Sequence, residues 1–232
     1  MGQKVDPRGF RVGLVKDWPC EWFAKNKAMA AKFAIEDIKI RNLIEEFYKR
    51  SGIWKVVIRR ANDKPEWEII IFTAKPALVI GKEWKKLKQF EEKLYKLFWR
   101  KYSIRVKEIK VPELSAKVMA EYIAAQLEKR MPHRRVAKMV LQKVMDKGAI
   151  WVKVQIGGRL WGADMARTEK FIKWRVPLQT LRADIDYHLT TALTKYGILW
   201  VKVWIYKWDI LESRSSRKKF KKKIQEKSKG AS

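Results

Sequence analysis

The chain has 232 residues, 54 of them Lys or Arg and 25 Asp or Glu, for a net charge of +29. Self-repulsion on that scale excludes an ordinary near-neutral enzyme surface and calls for a polyanion, nucleic acid above all. A hydrophobic share of 47% excludes a merely disordered basic tail, and one cysteine (Cys20) with two histidines (His133, His188) excludes a disulfide framework and the usual zinc sites.

Residues 1–24 carry Gly2, Pro7, Gly9, Gly13 and Pro19 among basic residues and predict an extended basic arm. Met1 to Val5 lacks the apolar core of a signal peptide, and Asp6 stands where a myristoylation signal needs Ser or Thr. No apolar run approaches the roughly 18 residues of a membrane span, so the expected setting is intracellular and reducing, with no membrane partner. Over 25–50, Phe33, Ile35, Ile38, Ile40, Leu43, Ile44, Phe47 and Tyr48 recur at helical spacing, and Ser51-Gly52 stops the helix. Two β-rich runs, 53–60 and 66–73, flank the turn-forming Ala61-Asn62-Asp63-Lys64-Pro65 and predict an antiparallel pair. From Val79 to about Phe98 a basic amphipathic helix sets Leu87, Phe90, Leu94 and Leu97 on one face. A strand over 103–111 completes an α+β layer.

Pro112-Glu113 marks a boundary. A helix over 114–130 turns Val118, Tyr122, Ile123 and Leu127 inward, and Pro132 breaks it. A second helix, 134–147, ends at Gly148. Strands are expected at 150–156 and near 166–176, 182–194 and 198–207. After Ser213 the chain is almost wholly basic and polar. The expected division is therefore an arm (1–24), a first α+β domain (25–111), a second one with two helices on a mostly antiparallel sheet (112–211), and a basic tail (212–232).

Three constellations could carry chemistry. Gly81-Lys82-Glu83-Trp84-Lys85 opens a helix, where free backbone N–H groups and the positive helix end favour phosphate. Its spacing is not that of a P-loop. It resembles the I-G-x-x-G loop with which KH domains clamp an RNA backbone, except that Trp84 replaces the second glycine. Arg134, Arg135 and Lys138 share a helical face, with Lys129 and Arg130 just before it and His133 at its border. Such a cluster suits successive phosphates. Asp184 and Asp186, two apart on a strand, face one way and could bind a metal, but Arg182 on that face favours structural pairing. The rival reading, a metal-dependent nuclease using Asp184 and Asp186 with Asp164, lacks any wider acidic cluster. A membrane-surface protein would need an apolar anchor beside its charge, and the tail has none.

The motifs together resemble one family. Gly2-Gln3-Lys4-Val5, Arg11-Val12-Gly13, Lys16-Asp17-Trp18 and Trp22-Phe23-Ala24 are similar to the start of bacterial small-subunit ribosomal protein three. So are Thr73-Ala74-Lys75-Pro76, Val79-Ile80-Gly81-Lys82, Pro112-Glu113-Leu114, Gln126-Leu127-Glu128 and Gly158-Arg159-Leu160. The strongest runs are Ala166-Arg167-Thr168-Glu169, Arg175-Val176-Pro177-Leu178, Thr180 to Tyr187 and Val201 to Lys207. The resemblance covers about residues 1–211 in one collinear order. It implies an N-terminal type II KH domain, a C-terminal α+β domain, no enzyme activity and no cofactor or metal. It implies binding to 16S rRNA in the small-subunit head, beside small-subunit proteins ten and fourteen. It also implies that Arg134, Arg135 and Lys138, with Arg130, meet mRNA where it enters the ribosome and help unwind it. The KH loop would be Gly81, Lys82, Glu83, Trp84 and Lys85. Lys4, Arg8, Arg11, Lys16, Arg159, Arg167 and Arg175 are further candidates for rRNA contact. The arm and tail are expected to order only on RNA.

The chain holds 12 Trp and only 11 Gly, whereas about 16 Gly are usual at this length. Trp18, Trp22 and Trp204 stand where the resembled family has Trp. Trp84, Trp99, Trp151, Trp161, Trp174, Trp200 and Trp208 stand where it typically has Gly. Some bacteria read the UGA codon as Gly and others as Trp, so one reading is a gene of the first kind written with the table of the second. The alternative is true drift, with the KH loop disabled and RNA contact shifted to the basic helix.

Overall fold

A computed structural model describes residues 4–48, 51–60, 67–174 and 177–210. Two four-stranded sheets each carry their own helices and core. In the first half, β1 (Cys20–Glu21) leads to α1 (Lys27–Phe47), β2 (Ile53–Arg59) and β3 (Trp67–Thr73). Then α2 (Pro76–Ile80) and α3 (Lys85–Phe98) cross over to β4 (Tyr102–Glu108). The sheet order is β1-β2-β3-β4. β2 and β3 are antiparallel, with Ile58 opposite Ile69, whereas β3 and β4 are parallel, with Ile69 opposite Ile104. A parallel pair needs a long crossover, and the two helices supply it. Ile40 and Ile44 of α1, Val79 of α2, and Phe90 and Leu94 of α3 close over Ile58, Ile69 and Ile71.

The second half begins with α4 (Ala116–Glu128) and α5 (His133–Asp146). Ser115 caps α4, its hydroxyl accepting from the Val118 N–H. β5 (Trp151–Gly158), β6 (Arg167–Lys173), β7 (Ala183–Thr194) and β8 (Gly197–Asp209) follow. They form a fully antiparallel sheet in the order β6-β5-β8-β7. The strands alternate: Val152, Val154 and Ile156, like Val201, Val203 and Ile205, are buried under the helices, while Lys153, Gln155 and Lys202 take the other face. Ile123 and Leu127 of α4 meet Val136, Val140 and Val144 of α5 above that sheet.

Several expectations need correction. The helix expected from Val79 to Phe98 is two helices. Gly81 takes φ +73°, which ends α2, and a 3-10 turn, Lys82–Trp84, precedes α3. Leu97 is exposed rather than inward, as are Ile35 and Ile38 of α1. Residues 4–24 are docked on the protein without RNA, through β1 on β2 and through Arg11. The turn at 61–65 and the tail from residue 212 lie outside the described residues.

A feature of the first core has no signature in the sequence. The buried Arg60 guanidinium lies 4.3 Å from the ring centres of both Phe33 and Trp67 and donates to the Asp37 carboxylate, itself buried. Trp22 donates its indole N–H to the same carboxylate at 2.8 Å. Burying a charge is costly unless it is paired and hydrogen-bonded, and here it is both.

Candidate nucleic-acid interface

The KH-like loop runs from one left-handed residue to another. Gly81 has φ +73° and Trp84 has φ 62°. At Gly81 the conformation and the packing both demand glycine: a Cβ would fall 2.8 Å from Cγ of Lys86. Between them Lys82 is exposed, and Lys85 follows as the first residue of α3. The loop therefore projects from the junction of two helices with lysines around it, a shape and charge suited to a sugar–phosphate strand. The Trp84 indole stands in the solvent beside it.

The second cluster lies at the start of α5. Arg134, Arg135 and Lys138 are exposed on one helical face. Arg130 precedes them in a left-handed turn (φ 60°) that closes α4, with its N–H on the Leu127 carbonyl and the Met131 N–H on the Gln126 carbonyl. The structure thus brings all four predicted cations to the α4–α5 corner. What the sequence does not indicate is Glu169, on β6. Its carboxylate takes hydrogen bonds from Arg134 Nε at 3.1 Å and Nη2 at 3.2 Å, and lies 3.0 Å from His133 Nε2 and 3.3 Å from Arg167. Arg134, then His133, hold this carboxyl at about 2, well below its usual 4.5. Arg134 is thereby fixed in orientation, whereas Arg135 and Lys138 have no acidic partner among the described residues. His133 is buried against Glu169, which corrects its expected place at the solvent border of the patch.

The remaining candidates divide. Lys4, Arg8, Arg159 and Arg167 are exposed. Arg8 chelates Asp6, and Arg159 reaches the Ala163 carbonyl and Asp164. Lys16 is half-buried in an ion pair with Asp184. Arg175 lies outside the described residues. Arg11 is a correction: it is fully buried, and its guanidinium donates to the carbonyls of Pro7, Ala183, Pro177, Leu178 and Thr180. An RNA phosphate cannot reach it.

The acidic pair is structural. Asp184 is taken by Lys16. Asp186 accepts from the Trp54 indole N–H at 3.2 Å and the Ala116 backbone N–H at 2.9 Å, linking β2 to the start of α4. Arg182 pairs with Asp209 instead of with these carboxylates. No cluster of three potential metal ligands occurs among the described residues, nor is any described helix long and apolar enough to cross a membrane.

One more basic surface emerges on the face of the second sheet away from its helices, beside the buried cluster of Trp204 and Tyr206. Lys153, Gln155, Lys170 and Lys202 are cross-strand neighbours there. Lys153 Nζ lies 4.6 Å from the Trp204 ring centre, and burial, then Lys4 and Lys170, push its pKa down. The Lys-Val-Trp alternation of β8 is the sequence signal that could have found it.

Comparison with known proteins decides the family. A model described as "Ribosomal protein S3, C-terminal domain" matches residues 123–205, and one described as "KH domain" matches residues 39–114. The small ribosomal subunit protein uS3 of Persephonella marina is 47% identical, covering 97% of this chain and 98% of that relative. Those of a Sulfurihydrogenibium species and of Caldicellulosiruptor bescii are also 47% identical, each over 93% of this chain and 94% and 96% of the relative. The chain belongs to the uS3 family of small ribosomal subunit proteins. As a uS3 family member it is a structural, non-enzymatic constituent of the cytoplasmic ribosome. The KH match takes in the end of α1 with β2, β3, α2, α3 and β4, and the S3 C-terminal match runs from within α4 into β8.

Proposed function

We propose that this uS3 family chain holds 16S rRNA in the small-subunit head through lysine and arginine contacts to phosphate, beside small-subunit proteins ten and fourteen. Arg130, Arg134, Arg135 and Lys138 then line the channel by which mRNA enters and help open its secondary structure. The observation that carries this reading is the α4–α5 corner: four cations crowd one exposed edge, none is needed by the core, and one is oriented by Glu169. Phosphate contacts of this kind give grip without sequence choice, as a channel for arbitrary mRNA requires. The KH loop, Lys82 and Lys85 with Arg8, Arg159 and Arg167 supply the rRNA side. The functional units are taken as the arm 1–24, the KH domain 25–111, the C-terminal domain 112–211 and the tail 212–232.

The test is a ribosome carrying Arg134→Ala, Arg135→Ala and Lys138→Ala. The expected outcome is an unchanged circular dichroism spectrum and normal translation of unstructured mRNA, with slowed passage through a stable hairpin. A variant that unfolds, or that reads hairpins at the normal rate, refutes the role.

A further inference from the structure

Five non-glycine residues among those described have left-handed backbone, and four of them are tryptophan: Trp84 (φ 62°), Trp99 (φ 54°), Trp161 (φ 59°) and Trp174 (φ 67°). Only a few per cent of non-glycine residues adopt such a φ, and for bulky side chains it is rarer still. Here a third of the 12 Trp do so. A strained residue normally persists because its side chain is locked by packing. These indoles are not locked: they are 57%, 80%, 64% and 70% exposed. Two of them have a single tilted ring contact at the long end of the range, Tyr95 at 6.4 Å from Trp99 and His133 at 6.4 Å from Trp161.

Each position also has a glycine's task. Trp99 closes α3, its N–H on the Tyr95 carbonyl at 2.8 Å, where a helix C-terminus favours glycine. Trp161 breaks the helical course of the turn Leu160–Gly162 and stands directly before Gly162, itself left-handed at φ +74°. Trp174 follows directly on β6. Trp84 mirrors Gly81 at the far end of the KH loop. The fifth residue, Arg130, differs in kind, because its charge belongs to the basic corner.

We infer that positions 84, 99, 161 and 174 are glycine in the protein as its own cell makes it. The codon behind them is UGA read as glycine. The KH loop then has glycine at both ends, Gly81 and position 84, left-handed at each and bare of any side chain at its second hinge. Resting on the RNA-binding reading above, this makes the loop a backbone clamp for phosphate rather than an indole platform for stacked bases. Trp151, Trp200 and Trp208 lie in strands, where the backbone does not discriminate.

The experiment has two independent arms. Small ribosomal subunits from the producing cells are digested with several proteases, and the peptides spanning the four positions are weighed. Glycine at all four is expected, with an intact mass below 27.6 kDa. Tryptophan at any of them overturns the assignment there, whatever the protein binds. Separately, the recombinant chain with Trp84 and its Trp84→Gly variant are titrated with 16S rRNA. At least a severalfold tighter complex is expected for glycine. Equal or weaker binding overturns the clamp while leaving the residue assignment to the mass measurement. Binding by neither chain overturns the clamp together with the RNA-binding reading.

Discussion

Arg11 shows how little a side chain's charge says about its partner. In a chain at +29 every cation invites an anion in solution, yet this one is fully buried and donates to five carbonyls. Removing the guanidinium strands buried acceptors at roughly 1–3 kcal/mol each. Arg11→Ala should therefore cost at least ~3 kcal/mol in urea denaturation, with Arg8→Ala near neutral. Sequence alone cannot show this. Four of the acceptors lie at residues 177–183, far along the chain, and are backbone atoms, which every residue type carries. Glu169 is hidden for a similar reason: its partner Arg134 is 35 positions earlier and meets it only once α5 lies beside β6. Because folding lowers this carboxyl from 4.5 to about 2, its contribution to stability is complete above pH 4.5 and fades as pH falls toward 2. The melting-temperature gap between the parent chain and Glu169→Gln should narrow over that interval.

At the scale of elements the sequence is more open. Period-two alternation announces β5 and β8, because the helices cover one face of that sheet with an apolar layer while Lys153, Gln155 and Lys202 stand on the other, where, of β8, only Trp204 and Tyr206 are buried. The β2–β3 pair is legible from its composition. The two-helix crossover reads as one helix, since Lys82 to Lys85 continue an amphipathic pattern, while in the structure two left-handed residues, Gly81 and Trp84, interrupt it. The exposure of Leu97, Ile35 and Ile38 cannot be seen, because periodicity marks a stripe without saying how wide its cover is. The α4–α5 corner is readable from spacing, which puts positions 134, 135 and 138 together on any helix. If three of its cations each neutralise one phosphate of a single strand, replacing them with alanine lowers the slope of log affinity against log salt by about 2. Titrating single-stranded RNA at several KCl concentrations reads that slope. An unchanged slope would detach the corner from RNA.

For the whole molecule, net charge sets two salt effects of opposite sign. Screening relieves the self-repulsion of +29, so the free protein should melt at higher temperature as KCl rises. The same ions compete for rRNA, and with about six phosphate contacts affinity should fall roughly 10³-fold between about 50 and 200 mM. Calorimetry on the free chain and filter binding on the complex test the two together; curves moving in the same direction would contradict the charge account.

The knot around Arg11 also has a temporal consequence. Synthesis delivers an arm whose anchoring carbonyls, at residues 177–183, do not yet exist. Until those residues are made the segment around Arg11 lacks its anchors, while β1 can already pair with β2 and the KH sheet behind it can close. The segment around Arg11 is thus among the last parts to settle, and a nascent chain stalled before residue 177 should leave it open to a protease that the finished molecule resists.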